Sequence, residues 1–161
     1  MTTPTHPIIG RLHVITDEVL QSRFTHVEIA RLAAAGGADV VQYRDKRDVA
    51  AALRVRIVRE LRQLLPVGVQ LIVDDHADVA LAAGADGVHL GQNDLAPTAA
   101  RRLLGSRALI GGTANSFEEA CQCFAAPVDY IGAGPVFGTR SKANAPPALG
   151  LETLARIVLL R

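Results

Sequence analysis

The pattern that decides the fold is Ala35-Gly36-Gly37-Ala38-Asp39-Val40-Val41, which returns as Ala82-Ala83-Gly84-Ala85-Asp86-Gly87-Val88. A fainter copy follows as Pro127-Val128-Asp129-Tyr130-Ile131. In each copy a helical stretch stops at Gly or Pro and an apolar run follows, which is typical of a helix end before a buried strand. The aspartates recur every 43 to 47 residues, which leaves room for two strand–helix units per repeat. The repeat therefore predicts an α/β protein of alternating strands and helices.

The same alternation extends along the whole chain. Six short runs are predicted as strands: His13–Asp17, Asp39–Arg44, Gln70–Asp75, Gly87–Gly91, Ala108–Gly112 and Asp129–Pro135. Amphipathic stretches lie between them, the clearest at Val49–Leu65, where arginines flank an apolar stripe. No Gly-x-Gly-x-x-Gly fingerprint follows a strand, which favours a TIM (β/α)8-type barrel over a dinucleotide-binding fold. We expect one barrel domain over residues 1–161.

The number of predicted units is smaller than a closed barrel needs. Eight βα units normally take about 200 residues or more, whereas this chain has 161, and Leu151–Arg161 is predicted as the sixth helix. We therefore expect the last two βα units to be lacking at the C-terminal end. The chain is then either truncated or an incomplete relative whose open sheet edges are covered in another way. Unpaired sheet edges favour association between chains, so a homo-oligomer is a further possibility.

Composition excludes several classes of partner. Half of the chain is hydrophobic (49%), yet only 4% is aromatic, so small and branched aliphatic residues are expected to fill the core. The net charge of +1 gives no electrostatic reason to bind nucleic acid or an anionic membrane. No apolar run approaches the roughly 20 residues of a membrane span, and Met1–Arg11 lacks the apolar centre of a signal peptide. We expect a soluble, cytoplasmic protein.

Polar residues concentrate at the predicted carboxyl ends of strands, where such barrels bind their ligands. They are Gln42, Arg44, Lys46, Asp74, Asp75, Asp94, Thr113, Thr139, Arg140, Ser141 and Lys142. Seventeen residues are Lys or Arg, and only Lys46 and Lys142 are lysines. A compact ammonium suits a phosphate oxygen as a point charge. Two ordinary solvated loop lysines are the alternative.

Asp75 and Asp94 form a second candidate group. Carboxylates at the ends of adjacent strands repel each other unless a cation lies between them. Mg²⁺ prefers one or two carboxylates together with waters and phosphate oxygens. A diphosphate held by Arg44, Lys46 and Lys142 around such an ion is coherent chemistry.

Simpler structural roles stay open for several of these residues. Asp74 and Asp75 precede the predicted helix Ala77–Ala83 and could cap it. The hydroxyls of Thr139 and Ser141 could bind an anion or belong to a plain turn. His76 and His89 are single histidines without metal-ligand spacing, and they are predicted either to be structural or to support other residues of the site. No Ser-His-Asp or Cys-His arrangement supports covalent acyl chemistry.

These segments together resemble the thiamine-phosphate synthase family. Residues 42–46 resemble its Gln-x-Arg-x-Lys motif, and Asp74-Asp75 with residues 87–94 resemble its Asn-Asp and Gly-Val-His-Leu-Gly-Gln-x-Asp segments. Residues 131–150 resemble its phosphate loop and lid. The match covers about residues 11 to 155. Several ordered motifs at the right separations make the resemblance more specific than any single one.

The resemblance implies a transferase of thiamine biosynthesis. Hydroxymethylpyrimidine diphosphate and a thiazole phosphate would join to give thiamine phosphate and pyrophosphate, and in this family the pyrimidine is thought to ionise before the thiazole nitrogen captures it. By the same resemblance, Asp75 and Asp94 hold Mg²⁺. The residues that bind the pyrimidine diphosphate would be Gln42, Arg44, Lys46, Asp74, Thr113 and Lys142, and those that face the thiazole phosphate Thr139, Arg140 and Ser141. Arg44, Lys46 and Lys142 are the predicted catalytic residues.

The chain departs from the family pattern at three places. Asp74 stands where the family usually has Asn, Asn115 stands where relatives often have His, and the seventh and eighth strands are not found. Asn115 and the two metal-site aspartates disfavour a thiazole tautomerase, which relies on a histidine in that loop. A degenerate barrel that binds phosphate ligands without turnover stays open, as does another phosphate-sugar barrel enzyme, which would not need Asp75 and Asp94.

Overall fold

Strands and helices alternate as the sequence predicts. The structure, a computed structural model, describes residues 8–139 and 146–160. Within these ranges the elements are β1 (His13–Thr16), α1 (His26–Ala35), β2 (Val40–Tyr43), α2 (Ala51–Leu64), β3 (Gln70–Asp74), α3 (Ala77–Ala83), β4 (Gly87–Leu90), α4 (Pro97–Leu104), β5 (Leu109–Ala114), α5 (Phe117–Ala125), β6 (Tyr130–Ala133) and α6 (Gly150–Val158). All six predicted strands are present, with ends that differ by at most two residues.

The six strands form one parallel sheet in the order β1-β2-β3-β4-β5-β6. Every neighbouring pair is parallel, which confirms the α/β prediction. The sheet curls strongly, as a contact between its first and last strands shows. The ring of His13 on β1 meets the ring of Tyr130 on β6, with 5.6 Å between the centroids. The described chain is therefore a half-barrel. The eight-unit barrel lacking its last two units stays a prediction.

The two faces of the sheet bury different side chains, because successive residues of a strand point to opposite sides. The outer face packs against the helices through Val41, Tyr43, Leu71, Val73, Val88 and Leu90, which meet Val58 and Leu61 of α2. The inner face has a small apolar floor of Val40, Ile72 and Leu109. Two residues further along these strands, the same inner face presents Gln42, Asp74 and Gly111. Polar side chains thus follow the floor towards the carboxyl edge.

The repeated aspartates hold the strands together in pairs. Each carboxylate accepts a hydrogen bond from a main-chain N–H at the start of the preceding strand. The donor–acceptor pairs are Leu12 with Asp39 (2.8 Å), Leu71 with Asp86 (2.7 Å) and Ile110 with Asp129 (2.6 Å). The repeat in the sequence is therefore a repeated clamp that joins β1 to β2, β3 to β4 and β5 to β6.

The helices are short throughout the part of the chain that the structure describes. The longest, α2, has 14 residues, whereas a membrane span needs about 20. None of the helices in residues 8–139 and 146–160 is long and apolar enough to cross a membrane.

Candidate active site

A cavity of about 1020 Å³ lies along the inner face and opens at the carboxyl edge of the sheet. Seven of the predicted site residues line it: Gln42, Arg44, Lys46, Asp74, Asp75, Asp94 and Thr113. They come from the ends of β2, β3 and β5 and from the loop after β4. The parallel sheet therefore brings together residues that are distant in sequence, as the strand-end argument predicts.

The two cations after β2 face the carboxylates after β3. The Lys46 ammonium contacts the Asp75 carboxylate and lies 3.2 Å from Asp74 Oδ2. Burial disfavours its charge, but the two carboxylates outweigh that effect and raise the pKa of Lys46. The Arg44 guanidinium pairs with Asp17 and has its Nε 3.6 Å from Asp74 Oδ2. Both cations are therefore held at the cavity by carboxylates.

Asp74 is the most buried of the cavity carboxylates, with its residue 9% exposed. Its Oδ1 accepts a hydrogen bond of 2.8 Å from Gln42 Nε2. Burial, together with the charge of Asp75, raises the pKa of Asp74, although Lys46 and Arg44 oppose the shift. The charge that this residue adds relative to the family's Asn is thus disfavoured by its surroundings.

Asp75 and Asp94 lie within hydrogen-bonding contact of each other. Burial would raise both pKa values. The hydrogen bond and charge of Lys46 outweigh burial at Asp75 and lower its pKa, whereas burial and the charge of Asp75 raise the pKa of Asp94 against the N–H of Gly91. Two adjacent carboxylates whose pKa values move apart share one proton most readily in the absence of a cation.

The main chain at Asp75 is in the left-handed region, with φ of 64°, which is uncommon for a residue other than glycine. Its N–H donates a hydrogen bond of 2.8 Å to the carbonyl of His89 on β4. This turn ends β3 and directs the carboxylate towards Lys46 and Asp94. Local strain of this kind is often found at ligand sites.

The capping role considered for Asp74 and Asp75 is wrong. The N-cap residue of α3 is His76, and no side chain caps the helix there. The two carboxylates contact Gln42, Lys46 and Asp94 instead. Their position therefore serves the cavity and not the helix.

The donor set fits a hard divalent cation such as Mg²⁺. At the carboxyl edge Asp74, Asp75 and Asp94 stand against Arg44 and Lys46, and Asp17 also pairs with Arg44, so the carboxylates outnumber the cations. No cluster of three or more His, Cys, Asp or Glu that could hold a metal occurs among the described residues. A cation between Asp75 and Asp94 would take its remaining ligands from water and from phosphate oxygens, which is the coordination that Mg²⁺ prefers.

Gly91 makes room for the Asp94 carboxylate. The Gly91 N–H donates a hydrogen bond of 2.7 Å to Asp94 Oδ2. A Cβ atom at this position would lie only 2.9 Å from the same oxygen. The glycine therefore allows the main chain to approach and orient a predicted metal ligand.

The fifth strand contributes a polar contact with His89, for which the sequence left a structural or a supporting role open. His89 lines the cavity, with Nε2 at 2.9 Å from Thr113 Oγ1 and Nδ1 at 3.2 Å from the hydroxyl of Tyr130. Asn115 also lines the cavity, and its side chain donates to Glu119 Oε2 at 3.0 Å. His89 is thus a cavity residue that orients Thr113.

Sequence reasoning missed Asp17 and Tyr130. Asp17 follows β1 and pairs with Arg44, and Tyr130 lies on the inner face of β6. The strand-end rule that selected Asp74 could have selected Asp17, because it is the last residue of a predicted strand. Tyr130 had no comparable signal, since its place depends on how far the sheet curls.

The remaining predicted residues belong to the segment after β6. Thr139 is exposed and is not among the described residues that line the cavity. Arg140, Ser141 and Lys142 lie outside the described residues. Their proposed contacts with the substrate phosphates stay predictions.

Fold and site together define a class of protein. The chain is a parallel α/β half-barrel with its ligand cavity at the carboxyl ends of the strands. Its cations and paired carboxylates suit an anionic ligand that binds with a divalent cation.

Comparison with known proteins identifies the family. The family model described as thiamine monophosphate synthase matches residues 12–160. A thiamine-phosphate synthase from Salinibacter ruber is 46% identical over 151 residues, covering 91% of this chain and 65% of that protein. One from Methanoregula boonei is 48% identical over 147 residues, covering 91% and 68%. The chain therefore belongs to the thiamine monophosphate synthase family, which confirms the resemblance seen in the sequence.

A solved structure agrees with this assignment, and a second one shows the fold. A thiamine phosphate pyrophosphorylase from Pyrococcus furiosus superposes with a TM-score of 0.81 at 38% identity, covering 92% of this chain and 69% of that one. An enolase superfamily member from Polaromonas sp. JS666 superposes with a TM-score of 0.55 at 16% identity, covering 85% and 38%, which shows the fold alone. The chain spans about two thirds of the length of the curated relatives it matches.

Proposed function

We propose that this chain is a transferase that joins hydroxymethylpyrimidine diphosphate to a thiazole phosphate, giving thiamine phosphate and pyrophosphate with Mg²⁺. The observation that carries the proposal is the meeting of Lys46 with Asp75, beside Asp94, in the cavity of a chain of this family. Curated relatives 42 to 48% identical are named thiamine-phosphate synthase. The predicted function is the one that these relatives carry.

The proposed reaction asks the protein mainly to bind and orient. Arg44 and Lys46 would hold the diphosphate oxygens, and Asp75 with Asp94 would hold Mg²⁺. Bound Mg²⁺ would neutralise charge on the departing pyrophosphate. Lys142, outside the described residues, is proposed to join Arg44 and Lys46. Cations aimed at the leaving group stabilise the charge that develops there.

The pyrimidine would lie deeper, towards the polar contacts below the cations. Gln42 and Asp74 are hydrogen-bonded to each other at 2.8 Å, and Thr113 is oriented by His89 at 2.9 Å. Thr139, Arg140 and Ser141 are proposed to bind the thiazole phosphate. Holding two substrates side by side converts their encounter into a step within one complex.

Two alternatives are less well supported. A thiazole tautomerase would need a proton-shuttling histidine where this chain has Asn115, whose amide instead bonds with Glu119. Another phosphate-sugar barrel enzyme would not need Asp75 and Asp94 held against each other. The relatives with this name also favour the synthase.

Several coarser proposals accompany the activity. We propose that the half-barrel is a single barrel domain of the TIM (β/α)8 type that lacks the last two βα units, which the contact between the rings of His13 and Tyr130 supports. Its partners would be small phosphate-bearing substrates, and its compartment the cytoplasm, as for a biosynthetic enzyme. A homo-oligomer stays a prediction.

The direct test mixes the purified chain, both substrates and Mg²⁺, and converts any thiamine phosphate to fluorescent thiochrome. Asp75→Asn is the variant of choice, because Asn tolerates the left-handed main chain at this position. Loss of a metal ligand should lower Mg²⁺-dependent turnover by more than about a hundredfold. Asp78→Asn, an exposed carboxylate in the first turn of α3, is the matched control.

Each outcome decides between the candidate functions. Product from the folded chain, lost in Asp75→Asn and kept in Asp78→Asn, supports the synthase with Asp75 as a metal ligand. An Asp75→Asn rate near that of the unchanged chain would remove Asp75 from the metal site. A folded chain that binds pyrophosphate and forms no product would support the alternative of a phosphate-binding protein without turnover.

A further inference from the structure

The residue between the two cavity cations is an aspartate that points the other way. Arg44 and Lys46 line the cavity, whereas the side chain of Asp45 is only 1% exposed and is not among the described residues that line it. Side chains alternate between two sides here, because Gln42, Arg44 and Lys46 line the cavity whereas Tyr43 and Asp45 are buried away from it. The side on which Asp45 is held therefore decides the side on which its two neighbours lie.

The Asp45 carboxylate accepts hydrogen bonds at both oxygens. Its Oδ1 accepts from the main-chain N–H of Arg47 at 3.1 Å and from Arg47 Nε at 2.8 Å. Its Oδ2 accepts from Arg47 Nη2 at 2.6 Å and from the hydroxyl of Tyr43 at 3.0 Å. A guanidinium that meets a carboxylate through two parallel hydrogen bonds fixes the orientation of both groups.

Arg47 ties this pair to the first strand and helix. Its Nη1 contacts Glu18, and Glu18 Oε1 accepts a hydrogen bond of 2.7 Å from the main-chain N–H of His26, the first residue of α1. The His26 ring lies 2.8 Å from Thr16 Oγ1 at the end of β1. The loop after β2 is thus anchored on its buried side to two regular elements.

Releasing this anchor is costly. Burial alone would raise the pKa of Asp45, but the hydrogen bonds from Arg47 and Tyr43 outweigh burial and lower it well below its ordinary range. A buried carboxylate without its partners loses their hydrogen bonds and keeps its desolvation cost. Arrangements that turn Asp45 towards the cavity, and its neighbours away from it, are therefore disfavoured.

We propose that Asp45 and Arg47 are a positioning pair that holds the Arg44 and Lys46 side chains in the cavity, towards the diphosphate of the substrate. The proposal rests on the proposed function and adds residues that touch no substrate. Cations that are oriented before binding lose less freedom when they meet the ligand.

The test measures binding of inorganic pyrophosphate with Mg²⁺ by isothermal titration calorimetry on the full chain. Asp45→Asn keeps the shape of the side chain and removes its charge. We expect its pyrophosphate Kd to rise about tenfold, or ~1.4 kcal/mol. Asp48→Asn makes the same change in charge at an exposed position of the same loop, and its Kd should match that of the unchanged chain.

A second variant guards against misfolding of Asp45→Asn. Arg47 is about a third exposed (36%), so Arg47→Gln is the milder change and should weaken binding in the same direction. If the two residues act as one unit, the double variant binds no more weakly than Asp45→Asn alone. If the two residues contribute independently, the factors by which the single variants raise Kd multiply in the double variant.

Turnover supplies a readout that a merely structural role would not move. Asp45→Asn should raise KM for the pyrimidine diphosphate while KM for the thiazole phosphate stays the same. A folded Asp45→Asn whose pyrophosphate Kd lies within about twofold of the unchanged chain overturns the proposal. If that variant does not fold, an unchanged Kd in Arg47→Gln overturns it.

The proposed function and the positioning pair fail in different ways. Without product formation by the unchanged chain, the synthase proposal fails, yet the pyrophosphate titrations still decide the role of Asp45. If the unchanged chain binds no pyrophosphate with Mg²⁺, the positioning proposal is overturned, because Arg44 and Lys46 then have no diphosphate to meet.

Discussion

Replacing Asp74 with the asparagine usual in the family should strengthen binding of a diphosphate. Asp74 adds a buried negative charge at a carboxyl edge where Asp17, Asp75 and Asp94 already outnumber Arg44 and Lys46. Asparagine keeps the oxygen that accepts from Gln42 Nε2. In the variant, Lys46 still contacts Asp75 and Arg44 still pairs with Asp17, so both cations stay in place.

The size of the effect follows from the position of Lys46 between Asp74 and the ligand. Asp74 Oδ2 lies 3.2 Å from Lys46 Nζ, so a phosphate oxygen on the far side of the ammonium would lie about 5 Å from the carboxylate. Two unit charges at ~5 Å repel by about 1 kcal/mol in water and by about 3 kcal/mol at an effective dielectric constant of 20. The cavity is open to solvent, so we expect a gain near the lower value, which is about fivefold in Kd.

Isothermal titration of pyrophosphate at saturating Mg²⁺ measures this gain. Asp78→Asn, which removes an exposed carboxylate four residues further on, controls for the change in net charge. The affinity of Asp74→Asn should exceed that of both the control and the unchanged chain, and raising the salt concentration should narrow the gap. Equal or weaker binding by Asp74→Asn would refute the view that this carboxylate opposes the ligand.

Three further predictions concern packing, acid stability and metal binding. Gly111→Ala should lower the free energy of unfolding by about 1–3 kcal/mol, because its Cβ would lie 2.3 Å from Tyr130 Cζ; urea denaturation measures this, and Gly138→Ala, which meets nothing within 4 Å, should be neutral. Burial lowers the pKa of His26 below its ordinary 6.5, against the charges of Glu18 and Asp45, so the unfolded chain takes up the proton first and stability falls as pH drops below about 6.5. His26→Gln should flatten that loss in urea midpoints measured from about pH 8 to about pH 5, and an unchanged slope would contradict the assignment. Gly91→Ala should raise the Mg²⁺ concentration for half-maximal pyrophosphate binding severalfold, because its Cβ would displace the Asp94 carboxylate; an unaltered Mg²⁺ dependence in a folded variant would count against Asp94 as a ligand.

The fold could be predicted from the sequence because its signals are local. Apolar runs such as Leu71-Ile72-Val73, and helices that stop at Gly84, reveal strands and their order without any long-range information. The exact residue at which a strand ends depends on the neighbouring strand as well. Ala114 continues β5 because it pairs with Ala133 of β6, and β3 ends at Asp74 because Asp75 turns into the left-handed region.

The centre of the site could be predicted because parallel strands bring their carboxyl ends to one edge. That rule alone brings Lys46 to Asp75, 29 residues apart in sequence. The anchoring of Arg44 by Asp17 and the meeting of His13 with Tyr130 depend on the curl of the sheet. No periodicity in the sequence reports that curvature, so those contacts had to come from the structure.

The hydrogen bonds of Asp39, Asp86 and Asp129 decide between which strands the sheet opens most easily. They join the strands within the pairs β1–β2, β3–β4 and β5–β6. The boundary between β2 and β3 lies between two of these pairs and has no such aspartate hydrogen bond among those three. At the cavity, that boundary is crossed by Gln42 with Asp74 and by Lys46 with Asp75, the residues proposed to receive the ligand. A phosphate oxygen that draws Lys46 away from Asp75 breaks one contact between the ends of β2 and β3. The ligand and its cation form a new connection between the same two strand ends. Amide hydrogen exchange at Gln42 and Val73 should therefore respond to pyrophosphate, whereas the clamped amide of Ile110 should not.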